Sequence, residues 1–221
     1  MTPGRSGRQK KFKHTPRKSS RKLPLAIGLL AIVVVAIVVF YVYGMNGLNS
    51  SNSPGGDNSN VPSGNIVLLQ TSMGNITIQL RDDRPITTSN FKNLIEQGVY
   101  NDTIFHRVIS GFMIQGGDPT GTGQGDPSIP TIQDEVVGDN KNNYGTIAMA
   151  KMGNADGSSV PNSASSQFYI NVANNNWLDS EYTVFGTVIS GMDVTVNISN
   201  VPTNGTKPVT DVTLIKAEII S

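Results

Sequence analysis

The chain has 221 residues with 17 Lys and Arg against 16 Asp and Glu, a formal net charge of +1 that describes neither part of it. Nine cations (Arg5, Arg8, Lys10, Lys11, Lys13, Arg17, Lys18, Arg21 and Lys22) precede residue 23 and the first acidic residue is Asp57, so a tail of +9 joins a body of −8. The absence of cysteine excludes a disulfide framework, a thiolate-ligated metal or cluster, a thiol nucleophile and a thioether-linked lipid.

Residues 1–22 read as a basic tail and residues 23–43, LPLAIGLLAIVVVAIVVFYVY, as a membrane anchor without a charged side chain. As a helix, Leu25 to Tyr43 would reach about 28 Å, close to the roughly 30 Å hydrocarbon thickness of a bilayer. The run is longer than the apolar part of a cleaved signal peptide, about 7–15 residues, and leaves through Phe40, Tyr41 and Tyr43, aromatics suited to a membrane interface. The expectation is an uncleaved single-pass signal-anchor in the cell membrane, with the N-terminus cytoplasmic and the rest extracytoplasmic. Cations at residues 5–22 would rest on anionic lipid headgroups, at about 1 kcal/mol each near the surface. With no aromatic interleaving beyond Phe12 they carry no nucleic-acid signature. Residues 44–63 are rich in Gly, Ser, Asn and Pro, the composition of a flexible linker. N-x-[ST] sequons at Asn49, Asn75, Asn101, Asn197 and Asn204 fit an outward-facing domain.

Residues 64–221 form the globular domain. Strands are predicted at residues 66–69 and 76–80, where Ile76, Ile78 and Leu80 alternate with Thr77 and Gln79. A helix capped by Thr87 or Thr88 carries Phe91, Leu94 and Ile95 and ends at Gly98. Further strands are predicted at 104–108, 112–115, 146–150, 168–172, 183–188 and 209–220. Over 191–200 the apolar positions Met192, Val194, Val196 and Ile198 have period two, which by pattern alone argues strand. Many short strands with Gly-rich turns point to a mainly β domain, a barrel or sandwich.

Few residues suit conventional catalysis. The two histidines are His14, in the tail, and His106, which excludes a multi-histidine metal site. Gly116-Gly117-Asp118 and Gly121-Thr122-Gly123 lack the ending of a phosphate-binding loop. Asp82-Asp83 and Asp134-Glu135 are adjacent pairs, read as solvated loop carboxylates. One segment, 105–123, gathers a cation (Arg107), an amide (Gln115) and two apolar side chains (Phe112, Met113).

Phe105-His106-Arg107-Val108-Ile109, followed by Gly111-Phe112-Met113-Ile114-Gln115-Gly116-Gly117-Asp118, closely resembles the signature of cyclophilin-type peptidyl-prolyl cis-trans isomerases. Residues 145–150, 165–170, and 177–179 with 184–186 are similar to later blocks of that family in the same order. The resemblance implies a closed eight-stranded antiparallel barrel capped by two helices, and it places the second helix at 191–200, against the period-two pattern.

Rotation about an X–Pro bond faces a barrier near 18–20 kcal/mol because amide resonance is lost. The reaction needs no cofactor, metal or nucleophile, only a donor for the prolyl nitrogen in the twisted state and an apolar cup for the ring. By resemblance Arg107 is that donor and Gln115 its orienting acceptor. Phe112, Met113, Tyr169 and Leu178 would line the cup, Ala150, Gln167 and Trp177 would border the peptide groove, and His106 would sit beside it. Three departures stand out: Tyr182 where many members have His, Tyr169 where many have Phe, and Lys151 where Asn is common. The two tyrosines imply a wetter pocket, and a longer loop at 152–165 a reshaped groove wall. Retained Trp177 implies a cyclosporin-type ligand. The partners implied are proline-containing polypeptides, with folding of exported or cell-surface proteins as the role. A non-catalytic membrane-tethered module binding proline-containing segments is the rival, and would show peptide affinity without exchange enhancement.

Overall fold

The computed structural model describes Met1 and residues 64–220. The predicted tail, anchor and linker lie almost wholly outside the described residues, and among those described no helix is long and apolar enough to cross a membrane.

The domain opens with a hairpin of β1 (Ile66–Thr71) and β2 (Gly74–Leu80). Its turn is held locally, the Thr71 hydroxyl donating to the Gly74 carbonyl at 2.6 Å and accepting from Met73 N at 3.1 Å. The predicted alternation holds: Ile76, Ile78 and Leu80 are buried and Gln79 is exposed. Helix α1 (Pro85–Glu96) packs Phe91, Leu94 and Ile95 into the core. It begins before the predicted threonines, with proline in the first turn, where a missing N–H costs nothing. No side chain of its own caps it. The Glu135 carboxylate instead accepts from Ile86 N at 3.1 Å and Thr87 N at 2.8 Å. Glu135 is therefore a buried cap, not the solvated carboxylate predicted, because two orphan amides and a helix dipole repay its desolvation.

The predicted strand at 104–108 is interrupted, giving β3 (Thr103–Ile104) and β4 (Arg107–Ile109) around a buried Phe105. Then follow β5 (Met113–Gly116), β6 (Thr146–Met149), β7 (Phe168–Asn171), a 3-10 turn (Asn176–Leu178) and β8 (Val184–Ser190). Helix α2 (Met192–Ser199) comes next, then β9 (Thr203–Asn204), β10 (Lys207–Pro208) and β11 (Thr213–Ile219). The resemblance placed α2 correctly where periodicity did not. Thr195, Ile198 and Ser199 are its buried residues, at i, i+3 and i+4. Gly191 before it has φ 85°, and a Cβ there would lie 2.2 Å from the Asn75 carbonyl oxygen, so only glycine fits.

Nine strands form one antiparallel sheet in the order β3-β11-β1-β2-β8-β6-β7-β5-β4, with β9 and β10 a separate ribbon. The predicted closed eight-stranded barrel is not formed; the sheet curls into a half-barrel with β3 and β4 at its ends. Those strands are consecutive in the chain and only two and three residues long, and their amides go elsewhere. Ile104 of β3 forms an isolated antiparallel bridge with Asp118, and Val108 N of β4 donates to the Thr206 carbonyl at 2.8 Å, so other segments of the chain cover both edges.

The core lies between the concave face and the helices. Phe91 meets Tyr100 and Phe185 at 5.0 Å and Phe168 at 5.6 Å, between ring centroids. Replacing Glu135 with alanine is expected to lower unfolding free energy by about 1–2 kcal/mol, the usual weight of a lost N-terminal cap, measured by urea denaturation.

Candidate active site

Strand register sorts residues 107–115 between two faces. Arg107 lies opposite Gln115 and Ile109 opposite Met113; Gln115 pairs with Tyr169, and Tyr169 with Ala148. Residues alternating with these (Val108, Ile114, Ile147, Phe168 and Ile170) belong to the main core. Met113, Ala148, Tyr169, Leu178 and Val184 form a second apolar cluster, against which Ile109, Phe112, Ala150 and Tyr182 pack half-buried. Period two thus puts one set of side chains in the core and the other in a shallow cup on the opposite face.

Arg107 borders this cup. Its Nη1 donates to Gln115 Oε1 at 3.2 Å and lies 3.8 Å from Met113 Sδ, while its guanidinium carbon sits 5.7 Å from the Phe112 ring centroid. Gln115 Nε2 donates to Gln167 Oε1 at 3.0 Å, and Gln167 Nε2 to the Gly123 carbonyl at 3.1 Å. A guanidinium only donates and a backbone carbonyl only accepts, so the two ends force the orientation of both amides between them. Among the described residues Arg107 joins no ion pair. Burial pulls its pKa below the usual arginine value, although the group remains charged near neutrality.

Gly123 is fixed in turn by Asp118, which is fully buried and accepts from Thr120 N at 2.9 Å, Gly123 N at 2.6 Å and Gly125 N at 3.1 Å. Burial would raise its pKa, but these donors outweigh that effect and hold the carboxyl below the ordinary range.

Phe112 stacks on Trp177, with ring centroids 5.6 Å apart and planes 23° apart, and the indole is 71% exposed. Tyr169 and Tyr182 meet edge to face at 6.0 Å. The wetter pocket expected from Tyr169 is not what the structure shows. Its hydroxyl donates to Asn142 Oδ1 at 2.7 Å, and burial raises its pKa well above the usual phenol value. Asn171 links Asn142 to Thr146, and Asn175 bonds Asn171 and the Phe112 carbonyl. This buried amide network behind the cup was not legible in the sequence, because its members are spread from residue 142 to 175 with no common spacing.

Of the predicted residues, Arg107, Gln115, Phe112, Met113, Tyr169, Leu178, Trp177, Gln167, Ala150 and Tyr182 come together. His106 is set apart: its ring is 9% exposed and packs under Gly123, where a Cβ would approach to 3.1 Å.

Residues 66–219 match the family model described as cyclophilin type peptidyl-prolyl cis-trans isomerase/CLD. The chain belongs to the cyclophilin-type peptidyl-prolyl cis-trans isomerases. A peptidyl-prolyl cis-trans isomerase-like 1 from Aspergillus oryzae is 42% identical over 159 residues, covering 70% of this chain and 94% of the relative. That of Homo sapiens is 44% identical over 156 residues, covering 68% and 90% respectively. A Cryptosporidium parvum cyclophilin crystallised in the presence of the dipeptide Ala-Pro superposes with TM-score 0.65 at 34% identity, covering 71% of this chain and 99% of that one. This cyclophilin is an enzyme for X–Pro rotation.

Burial lowers the His106 pKa, with attraction from Asp118 only partly opposing. Below about pH 6.5 the unfolded chain gains a proton that folded His106 resists, so this contribution to stability is full above that pH and is lost as pH falls toward the folded pKa. The difference in melting temperature between wild type and His106→Gln, followed from about pH 8 to 5, is expected to shrink as pH falls.

Proposed function

We propose that the cup holds the proline ring of an X–Pro segment against Phe112, Met113, Tyr169 and Leu178, and that Arg107 donates to the prolyl nitrogen as the amide twists. The observation that carries this reading is the guanidinium fixed 3.2 Å from Gln115 at the border of a second apolar cluster. In the planar amide the nitrogen lone pair is delocalised and accepts poorly; in the twisted state it accepts well. A donor held beside it therefore stabilises the transition state more than the ground state. Flanking residues would run along Ala150, Gln167 and Trp177, with Tyr182 closing one side. His106 would act from beneath, through Gly123. An exposed indole stacked on Phe112 also suits a cyclosporin-type macrocycle sharing the groove.

We further propose that the domain is held outside the cell membrane by residues 23–43, with residues 5–22 against anionic headgroups inside, and that it serves exported or cell-surface polypeptides. Charge supports this reading: nine cations precede an uncharged apolar run and a body of −8 follows it.

The full-length protein is expected to accelerate cis/trans exchange of an Ala-Pro peptide, read by exchange NMR. Arg107→Ala and Arg107→Lys should each lose roughly 100-fold or more, the scale of one removed transition-state donor; equal rates in wild type and variants would refute the mechanism. Because the chain has no cysteine, one introduced at position 10 provides a unique thiol. An impermeant maleimide should label it only after the membrane is opened, and labelling of intact cells would overturn the orientation.

A further inference from the structure

The wall of the cup beside Tyr182 is built on a side chain that the resemblance marks only as a departure. Lys151 is almost fully withdrawn from solvent, its side chain 3% exposed. Its Nζ lies 2.7 Å from Asp134 Oδ2, donates to the Glu181 carbonyl at 2.7 Å, and sits 5.6 Å from the Tyr182 ring centroid. Asp134 Oδ2 also accepts from Asn162 N at 3.0 Å, and Asp134 N donates to Asn162 Oδ1 at 2.9 Å. The Glu181 carboxylate accepts from Ser159 N at 3.2 Å and Ser159 Oγ at 2.7 Å. The longer loop at 152–165 is thus clamped at both sides of one ammonium group. Tyr182, held from its other side by Asn140 Nδ2 on its carbonyl at 2.9 Å, is pressed edge to face on Tyr169.

We propose that Lys151 is a positioning residue for substrate binding: paired with Asp134 and bonded to the Glu181 carbonyl, it fixes the Tyr182 ring as a rigid wall of the proline cup. This rests on the proposed reading of the cup as the substrate site. Lys151 is too deeply covered to meet a peptide itself, so its influence passes through Tyr182. A buried ammonium tied to a carboxylate and a carbonyl has one low-energy position, and the cation–π contact transmits that position to the ring. Among the described residues Arg107 and Gln115 make no hydrogen bond to Lys151, Asp134 or Glu181, and Arg107 feels the clamp only as a charge near Tyr182, so a shift of that ring acts on binding more than on bond rotation.

The test is a steady-state comparison on the full-length protein with an Ala-Pro peptide. Lys151→Met, which keeps the aliphatic stem and removes both donor and charge, is expected to raise KM about fivefold with kcat within twofold. Lys151→Arg should return KM to within twofold of wild type. In a Tyr182→Ala background, Lys151→Met should add less than twofold, because the ring it acts through is gone. Unchanged KM in Lys151→Met, a loss confined to kcat, or full additivity with Tyr182→Ala would each overturn the proposal. If Lys151→Met does not fold, Lys151→Gln, which retains a donor for the Glu181 carbonyl, carries the same cycle with the same criteria. Arg107→Ala, run alongside, separates the two readings: a fully active Arg107→Ala removes the site itself, whereas an inactive one with unmoved Lys151 variants removes only the positioning role.

Discussion

The hydrogen-bonded relay from Arg107 through Gln115 and Gln167 to the Gly123 carbonyl is the interaction on which the site depends. Its polarity is imposed from both ends, so neither amide can flip without losing a bond. A guanidinium on a flexible stem would otherwise spend most of its time elsewhere, and orienting it at the moment of amide twisting would add to the barrier. Here the orienting is done during folding. The relay ends in a loop that Asp118 organises from within, accepting backbone amides at Thr120, Gly123 and Gly125. Gly121, Gly123 and Gly125 take φ values of 67°, 83° and 81°, which lets those amides converge on one carboxylate. Asp118 is thus linked through Gly123 to the donor proposed for catalysis.

The sheet supplies the geometry within which the relay works. Short strands β4 and β5 place Arg107 directly opposite Gln115, and β7 sets Tyr169 beside Gln115. The opposite face of the same strands is anchored in the aromatic core around Phe91 and Phe168. Movement of the cup would therefore require repacking of the core. Behind the cup, Asn142, Asn171 and Asn175 satisfy one another, the Tyr169 hydroxyl and the Phe112 carbonyl. A network with its bonds made in a low-dielectric setting is stiff, and it lets a tyrosine serve where an apolar ring would otherwise be needed.

Much of the fold and site was legible in the chain. Alternation at Ile76, Ile78 and Leu80 is a local property of strands with one buried face, so the sequence carries it directly. Residue types alone drew Arg107, Phe112, Met113 and Gln115 together in one segment, but their roles and the other residues proposed for proline binding came by resemblance, and nothing in the charge balance singled out Arg107 from the other cations of the body. Period two over 192–198 misled, because partly exposed valines in a short helix can mimic a strand. What decided the helix was the left-handed Gly191 pressed against Asn75 and the burial of Thr195.

By itself the sequence determined the division of charge into +9 and −8, the absence of thiol chemistry, the β-rich body and the family signature. These are properties of composition, spacing and order, and they survive without coordinates. Only the tertiary structure decided that the sheet stops short of closure, that Glu135 caps a helix about fifty residues upstream, and that the Lys151 side chain is covered and paired with a half-buried Asp134 beside Tyr182. Each joins chain segments whose separation follows no period. Whether a charge is solvated or buried depends on what the rest of the chain brings to it.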